Sequence, residues 1–275
     1  MAKIHPTAIV DKSAELADTV EVGAYAIIEK DVKIGEGSVI RPHAFVHKYT
    51  HMGEGNYVDS YASIGSNPQD LKFKPQTISY LSIGNGNTFR EGVTISRATD
   101  DGEKTIIGNN TLCMANSHIG HNSIIDDNVI LVNGSLIAGH CTIGKGAITP
   151  ANGSIHQFCW VGENAMFQGG SEVSMHVPPF VTVAGANNVV SLNSIGLKRR
   201  ADFNSLDRQQ IKEAFKIAYR NNLSLKQMIE EMNQKSDWGK PAATFRDFVR
   251  RVSEANAPFN RGLCPHLSRS EQRHK

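Results

Sequence analysis

The chain has 275 residues, a net charge of +2, 40% hydrophobic residues, 24 glycines and only 7% aromatic residues. This length suits one large domain or two modest ones, and the charge is too small to indicate nucleic-acid binding. No apolar run approaches the roughly 18 residues of a membrane span, and no signal peptide is recognisable, so we expect a cytoplasmic protein. The cysteines form no CxxC pair, which argues against a structural zinc site.

A six-residue repeat dominates the first two thirds of the chain. Aliphatic residues recur at every sixth position from Ile4 to Ile64, and the period returns from Ile83 to Ile95 and from Ile107 to Val173, with Thr149 as its weak position. A period of six fits neither an α-helix nor a simple alternating strand. It is typical of a triangular solenoid with one short strand per side and 18 residues per coil. We therefore predict a mainly β fold, a left-handed parallel β-helix, followed by a small α-helical C-terminal domain; the left hand is that of known hexapeptide helices.

The repeat is interrupted twice, which predicts loops at residues 65–82 and 97–106. Insertions in a solenoid often build its binding face. We assign residues 1–190 to the β-helix and 191–275 to the helical domain with a basic tail. Three helices are predicted to start near Asn204, Ser224 and Thr244. The tail from Arg261 is polar and basic, and we expect it to be frayed.

Three histidines lie in the stretch ANSHIGHNSIIDDNVILVNGSLIAGHCTIG, at His118, His121 and His140. With 18 residues per coil, His121 stacks on Gly139 and Asn122 stacks on His140, while His118 lies on the same side as His121. An imidazole can take a proton from a hydroxyl, and a backbone N–H can stabilise an oxyanion. This arrangement suits acyl transfer to an alcohol. The alternative is that these are solvated histidines at the corners of the coils.

An ordered set of motifs carries a resemblance to a known family: HPTAIVD, NPQDLKF, ANSHIGHN, IAGH, IHQF, VPPF and GLKRR. Over nearly its whole length the chain resembles the UDP-N-acetylglucosamine O-acyltransferases, which begin lipid A synthesis. The resemblance implies that His121 is the general base that deprotonates the glucosamine 3-hydroxyl. That oxygen would attack the thioester of a 3-hydroxyacyl group on acyl carrier protein, with Gly139 as the oxyanion donor. It also implies no metal, no other cofactor, and a homotrimer with active sites between subunits.

Further roles follow from the same resemblance. Asn122 would orient the imidazole, and Gly170 occupies the position that limits acyl length, where a glycine predicts a longer chain. Residues 197–220 carry an excess of positive charge that suits docking of an acidic carrier protein. The positions matched to substrate binding are Gln69, Asp70, Lys72, His118, His140, His156, Gln157, Asn193, Arg199 and Arg200.

Three positions depart from the family pattern and keep other functions open. Asn122 replaces a common aspartate, Ser96 a common histidine, and Ile195 a common acidic residue near the ribose. One alternative is N-acylation of a 3-amino analogue of the UDP-sugar. Another is a zinc enzyme resembling carbonic anhydrase, which would use the three histidines at 118, 121 and 140. A non-catalytic sugar-nucleotide-binding paralogue and a sugar acetyltransferase that uses acetyl-CoA complete the set.

Overall fold

The computed structural model describes residues 1–266, in which short parallel strands stack into three long sheets. Within these residues the first sheet has seven strands, in spatial order β1 (Lys3–Ile4), β4 (Glu21–Val22), β7 (Val39–Ile40), β10 (Tyr57–Val58), β13 (Thr88–Phe89), β16 (Leu112–Cys113) and β19 (Ile130–Leu131). The second has nine in the same range, β2 (Ile9–Val10), β5 (Ile27–Ile28), β8 (Phe45–Val46), β11 (Ser63–Ser66), β14 (Thr94–Ser96), β17 (His118–Ile119), β20 (Leu136–Ile137), β22 (Ser154–Ile155) and β25 (Glu172–Val173).

The third sheet has eight strands in the described part of the chain: β3 (Glu15–Leu16), β6 (Lys33–Ile34), β9 (Thr50–Met52), β12 (Tyr80–Ile83), β15 (Lys104–Ile107), β18 (Ile124–Ile125), β21 (Thr142–Ile143) and β23 (Trp160–Val161). A small sheet of β24 (Met166–Phe167), β26 (Val181–Val183) and β27 (Val189–Leu192) follows, and its last two strands are antiparallel. The predicted parallel β-helix is confirmed.

The register between coils follows the predicted 18-residue step. In β17 and β20, His118 pairs with Leu136 and Ile119 with Ile137. In the two-residue strands of the prism the second residue points inward, so Ile119 and Ile137 are fully buried. Burial of these aliphatic columns is the main stabilising contribution, at about 25 cal/mol per Å² of apolar surface. In the first coil Ile4 remains 45% exposed, because that coil has a neighbour on one side only.

Both loops are shorter than predicted. The first occupies residues 67–79 and the second 97–103. Gly65 and Ser66 belong to β11, and residues 80–82 and 104–106 belong to β12 and β15. The extra residues pair Tyr80 with Lys104 and continue the ladder, because backbone groups at the loop ends gain hydrogen bonds this way.

Four helices follow the prism within the described residues: α1 (Ser194–Arg199), α2 (Ser205–Arg220), α3 (Leu225–Asn233) and α4 (Lys240–Ser253). The starts predicted at Asn204 and Ser224 are confirmed, and both residues form capping boxes. The start predicted at Thr244 is wrong, because α4 begins four residues earlier with a proline in its first turn. The short helix α1 was not predicted.

Residues 256–266 form a segment, here called the C-terminal strap, that returns to the prism. The prediction of a frayed chain from Arg261 is wrong for residues 261–266, because the His176 N–H donates to Gly262 O and the Cys264 N–H to His176 O, at 2.9 and 2.7 Å. The His176 ring accepts from the Trp160 N–H at Nδ1 and donates from Nε2 to Phe259 O, at 3.0 and 2.6 Å. The remainder of the predicted basic tail, residues 267–275, lies outside the described residues. Among residues 1–266, no helix is both long and apolar enough to cross a bilayer.

Candidate active site

A groove of about 660 Å³ lies on the second sheet, where the first loop crosses strands β14, β17, β20 and β22. It contains six of the predicted site residues: Gln69, His118, His121, Gly139, His156 and Gln157. The remaining lining residues are Thr94, Ser96, Asn116, Gly120, Leu136, Ile137, Ala138, Ser154 and Ile155. Imidazoles, hydroxyls and backbone amides thus converge on one concave surface.

The imidazole of His121 lies directly against Gly139 of the next coil. A Cβ atom on Gly139 would lie only 2.7 Å from both Cε1 and Nε2 of His121, so the close approach requires glycine. The backbone keeps the two coils in register, since the His140 N–H donates to His121 O at 2.9 Å. The Gly139 carbonyl accepts from the Phe158 N–H, but its own N–H has no acceptor among the described residues. The predicted stacking is therefore confirmed, and one free donor lies beside the ring.

The tautomer of His121 is set by Asn122. The amide oxygen Oδ1 of Asn122 accepts from the Thr99 N–H at 3.1 Å and from Thr99 Oγ1 at 3.0 Å, and it lies 2.9 Å from His121 Nδ1. An amide oxygen can only accept, so Nδ1 of His121 must be the protonated nitrogen. Its Nε2 therefore carries the lone pair, on the side of Gly139.

Two further histidines flank this ring. His118 Nδ1 lies 2.8 Å from Thr94 Oγ1. His140 meets His121 edge to face, with ring centroids 5.1 Å apart, and stacks on Phe158 at 4.9 Å. Burial lowers the pKa of His118 and of His140, and the neighbouring His121 lowers both further. Both rings are thus biased toward the neutral form beside the proposed base.

The first loop is fixed by a buried arginine that sequence analysis did not identify. The Arg97 side chain is fully buried, and its Nη1 donates to Thr77 O while Nη2 donates to Asn67 Oδ1, both at 2.9 Å. The guanidinium lies between the rings of Tyr49 and Phe73, at 5.3 and 5.2 Å. A lone arginine after a strand gives no sequence signal for such a role, because its hydrogen-bond partners Thr77 O and Asn67 Oδ1 lie 20 and 30 residues away in the chain.

Asp70 and Lys72 lie in that loop. The Asp70 carboxylate accepts the Lys72 N–H at 2.7 Å, and the Lys72 side chain is exposed. Neither Asp70 nor His140 lines the groove, but Asp70 is close enough to His140 for its charge to raise the pKa of that ring against the larger effect of burial.

The other predicted substrate residues do not line the groove within one chain. Asn193 caps α1 and donates from Nδ2 to Asn164 O at 3.0 Å. Arg200 forms an ion pair with Asp202 and donates to Asn164 Oδ1, whereas Arg199 is exposed. Gly170 lies at an exposed corner with φ +70°, where a Cβ atom would meet nothing within 4 Å.

The departures from the family pattern also have definite places. Ser96 lines the groove and is only 1% exposed, yet its hydroxyl has no hydrogen-bond partner among the described residues. Ile195 is 67% exposed on α1. The side chain of Asn122 contacts a carboxylate that sequence analysis missed, Glu103 of the second loop, with Nδ2 2.6 Å from Oε2.

The zinc alternative requires histidines that converge on one point. Residues 1–266 contain no group of three or more His, Cys, Asp or Glu side chains placed to hold a metal ion. The Nδ1 atoms of His118 and His121 are already bound to Thr94 and Asn122. Within one chain the three histidines therefore make separate contacts and do not converge on one metal position.

A larger groove of about 870 Å³ lies on the same sheet nearer the N-terminus. Its walls include Ile9, Ile27, Lys12, Lys30 and His47. None of its lining residues is a glycine, so its imidazole, His47, has no counterpart of the contact between His121 and Gly139. The chemistry therefore points to the smaller groove.

Two family models match the chain. Residues 176–264 match the model described as UDP N-acetylglucosamine O-acyltransferase, domain 2. Residues 2–48 and 104–139 match the bacterial transferase hexapeptide model of six repeats. The first covers the end of the prism and the helices, and the second covers parts of the prism.

Whole-length relatives extend these matches. The acyl-[acyl-carrier-protein]–UDP-N-acetylglucosamine O-acyltransferase of Herminiimonas arsenicoxydans is 45% identical over 255 residues, which cover 90% of this chain and 97% of that protein. The enzyme of the same name from Ectopseudomonas mendocina is 44% identical over 91% of this chain and 97% of its own length. The crystal structure of the UDP-N-acetylglucosamine acyltransferase of Francisella novicida superimposes with a TM-score of 0.89 at 34% identity, covering 97% of this chain and 95% of that one.

Proposed function

The chain belongs to the UDP-N-acetylglucosamine O-acyltransferase family, and from this premise we propose that it transfers a 3-hydroxyacyl group from acyl carrier protein to the 3-hydroxyl of UDP-N-acetylglucosamine, in the first step of lipid A biosynthesis. The observation that carries the proposal is the contact between His121 Nε2 and Gly139. It supports the proposal because an imidazole nitrogen that carries a lone pair lies beside a residue whose backbone N–H has no acceptor among the described residues. The cytoplasmic location stays a prediction, which cell fractionation would check.

The acyl transfer assigned to these groups has two steps, addition to the thioester and loss of the thiolate. His121 Nε2 removes the proton of the sugar hydroxyl as its oxygen attacks the thioester carbonyl. The resulting oxyanion is stabilised by the Gly139 N–H. The C–S bond then breaks, and the imidazolium returns its proton to the departing thiolate. Asn122 keeps the imidazole in the required tautomer throughout, because its oxygen accepts only from Nδ1–H.

We propose substrate-binding roles for the polar residues around the base. Gln69, Asp70, Lys72, His118, His140, His156 and Gln157 would contact the sugar nucleotide along the groove and the first loop. Gly170 would leave the acyl path open for a long chain, which its lack of close neighbours supports. Residues 197–220 would attract the acidic carrier protein.

Asn193, Arg199 and Arg200 lie away from the groove of their own chain. We propose that they reach the sugar nucleotide bound by a neighbouring subunit, and that the protein is a homotrimer. Arginine suits a diphosphate, because its planar fork can donate two hydrogen bonds. Exposed aliphatic residues on the prism faces, among them Ile9, Ile124 and Leu136, support such packing. A monomer in sedimentation equilibrium would contradict the proposal.

The test is transfer from a series of 3-hydroxyacyl carrier proteins to UDP-N-acetylglucosamine, with His121→Ala alongside. Loss of the base should lower kcat by about 10² to 10⁴, with little change in thermal stability. His43→Ala is the matched control, because His43 stacks on Tyr25 and Tyr61 at another part of the prism. In the same assay Gly170→Met should shorten the preferred acyl chain, and an unchanged preference would reject its role.

Other outcomes would select the alternatives. Turnover only with the 3-amino analogue would show an N-acyltransferase, and preference for acetyl-CoA would show an acetyltransferase. Binding of the sugar nucleotide without turnover would indicate a non-catalytic paralogue. Stoichiometric zinc in the purified protein, with activity lost on chelation, would contradict a histidine base.

A further inference from the structure

The carboxylate of Glu103 is bound to the amide that holds His121. Asn122 Nδ2 lies 2.6 Å from Glu103 Oε2, while Oδ1 of the same amide faces His121 Nδ1 at 2.9 Å. The orientation of this amide is determined twice over. The Thr99 N–H can only donate and therefore requires Oδ1, and a carboxylate can only accept and therefore requires Nδ2.

The backbone holds Glu103 where this contact can form. Its N–H donates to Asp100 O at 3.1 Å, which closes the turn of the second loop, and its carbonyl accepts the Tyr80 N–H at 2.9 Å. Strand β15 begins at the next residue. Asn122 is fixed as well, because its N–H donates to Thr105 Oγ1 at 2.8 Å. The two side chains thus meet from anchored positions, although Glu103 itself is exposed.

We propose that Glu103 is a positioning residue for the base, supplying through the Asn122 amide the negative charge that Asn122 itself lacks. The three groups form one chain of hydrogen bonds, from the carboxylate through the amide to the imidazole. A charged acceptor on the N–H side of an amide polarises its carbonyl and strengthens the bond that the carbonyl accepts. This inference rests on the proposed role of His121.

Two consequences follow for the imidazole. A carboxylate coupled through the amide stabilises the positive charge that His121 gains during the transfer step. It also holds the amide in the orientation that keeps Nδ1 protonated and Nε2 free. Other charged or titratable groups face the same site: His118 and His140 on the neighbouring strand and coil, and Asp70 and Asp100 on the two loops.

The test compares Glu103→Gln with wild type in the transfer assay across pH. Glutamine can still accept the Asn122 N–H but carries no charge. We expect kcat to fall about 10-fold with a KM for the sugar nucleotide within about twofold, because the base is weakened and the binding groups are untouched. The pH dependence of kcat should also differ from that of wild type, since the positive charge that His121 gains during the transfer is no longer compensated through the amide. Unchanged kcat and pH profile would overturn the proposal.

Asp100→Asn is the matched control, because it removes one negative charge from the same turn and its carboxylate reaches Asn122 only through the Thr99 hydroxyl. It should leave the pH profile near that of wild type. If Glu103→Gln and Asp100→Asn change the pH profile of kcat equally, the electrostatic field of the second loop explains the effect and the role of the hydrogen-bonded chain is rejected. The double variant Glu103→Gln with Asn122→Asp returns a carboxylate to the base and should recover most of the lost kcat. Failure of this rescue would also count against the proposal.

A spectroscopic measurement separates this proposal from the reaction itself. Nitrogen-15 NMR of labelled histidine reports the tautomer of His121 without any turnover. We expect the Nδ1–H form in the wild type and a mixture of both tautomers in Glu103→Ala. The Nε2–H form in the wild type would overturn the proposal even if the enzyme is active. A correct tautomer in a protein that does not turn over would instead count against the proposed function alone.

Discussion

At the scale of single residues, the proposed chemistry depends on the absence of one side chain. Gly139 lets the His121 ring lie against the backbone that carries the free N–H. The backbone of Gly139 is not in the left-handed region, so any L-residue could adopt it. The requirement for glycine is therefore one of space and not of backbone strain.

We accordingly expect Gly139→Ala to inactivate the protein while leaving it folded. The new Cβ atom would lie 2.7 Å from Nε2 of His121 and displace the ring, and a misplacement of about 1 Å can reduce the rate about 10²-fold. Activity and thermal unfolding are the measurements. Gly169→Ala is the matched control, because its backbone is also outside the left-handed region and its Cβ atom would meet nothing closer than 3.8 Å. Equal activity of the two variants would contradict this account.

Much of this arrangement is predictable from the sequence, because 18 residues separate His121 from Gly139 and the coil repeats with that period. Glu103 was not predictable in the same way. It lies 19 residues before Asn122, since the second loop breaks the phase of the repeat. The burial of His121 was also missed. Its ring faces out of the prism as expected, but neighbouring side chains leave it only 8% exposed.

At the scale of elements, the conformation of the first loop is stabilised by Arg97, the residue directly after strand β14. A buried guanidinium without a hydrogen-bonded carboxylate is stabilised by loop carbonyls, the Asn67 amide and two aromatic faces. The loop carries Gln69, Asp70 and Lys72. Its shape and the proposed sugar-nucleotide site are thus coupled.

Arg97→Lys should separate these contributions. An ammonium cannot span the Thr77 carbonyl and the Asn67 amide together, and hydrogen bonds to charged groups contribute about 1.5–3 kcal/mol each. We expect the free energy of unfolding to drop by about 2 kcal/mol and the KM for the sugar nucleotide to rise. Denaturant titration and steady-state kinetics are the measurements. Arg90→Lys, an exchange at a partly exposed arginine paired with Glu91, should change neither, and a comparable effect there would refute the assignment.

At the scale of the whole molecule, partly or fully buried histidines connect stability to pH. Burial lowers the pKa of His47, His51, His118, His140 and His176. His176 is the clearest case, because its neutral ring both accepts and donates a hydrogen bond between the prism and the C-terminal strap. Protonation would remove the acceptor at Nδ1.

The sign of the pH dependence follows directly. A histidine whose folded pKa is depressed contributes stability that is fully present above the unfolded pKa of about 6.5 and is lost as pH falls toward the folded pKa. We expect the free energy of unfolding to decrease below about pH 6.5. His176→Gln should be less stable at pH 8 but show a shallower slope, by up to about 1.4 kcal/mol per pH unit. Denaturant unfolding at several pH values measures both, and an unaltered slope would exclude His176 as a contributor.

The period of the repeat predicts the prism well because each coil obeys the same local geometry. The same reasoning fails for the C-terminal strap and for α1, whose positions depend on contacts far apart in sequence. The Tyr219 hydroxyl, for example, donates to Cys264 O across 45 residues. The division of domains at residue 190 stays a prediction, since β27 spans that position and the strap returns to the prism.

The strap also implies an order of events during synthesis on the ribosome. Each coil contacts mainly the coil before it, so the prism can grow stepwise as the polypeptide emerges. The contacts of His176 with Phe259 and Leu263 are different, because they join residues more than 80 positions apart. The growing end of the solenoid therefore stays open until residues 259–263 have been translated. Nascent protein should thus remain susceptible to proteases at its last coils well after the histidines of the groove have come together.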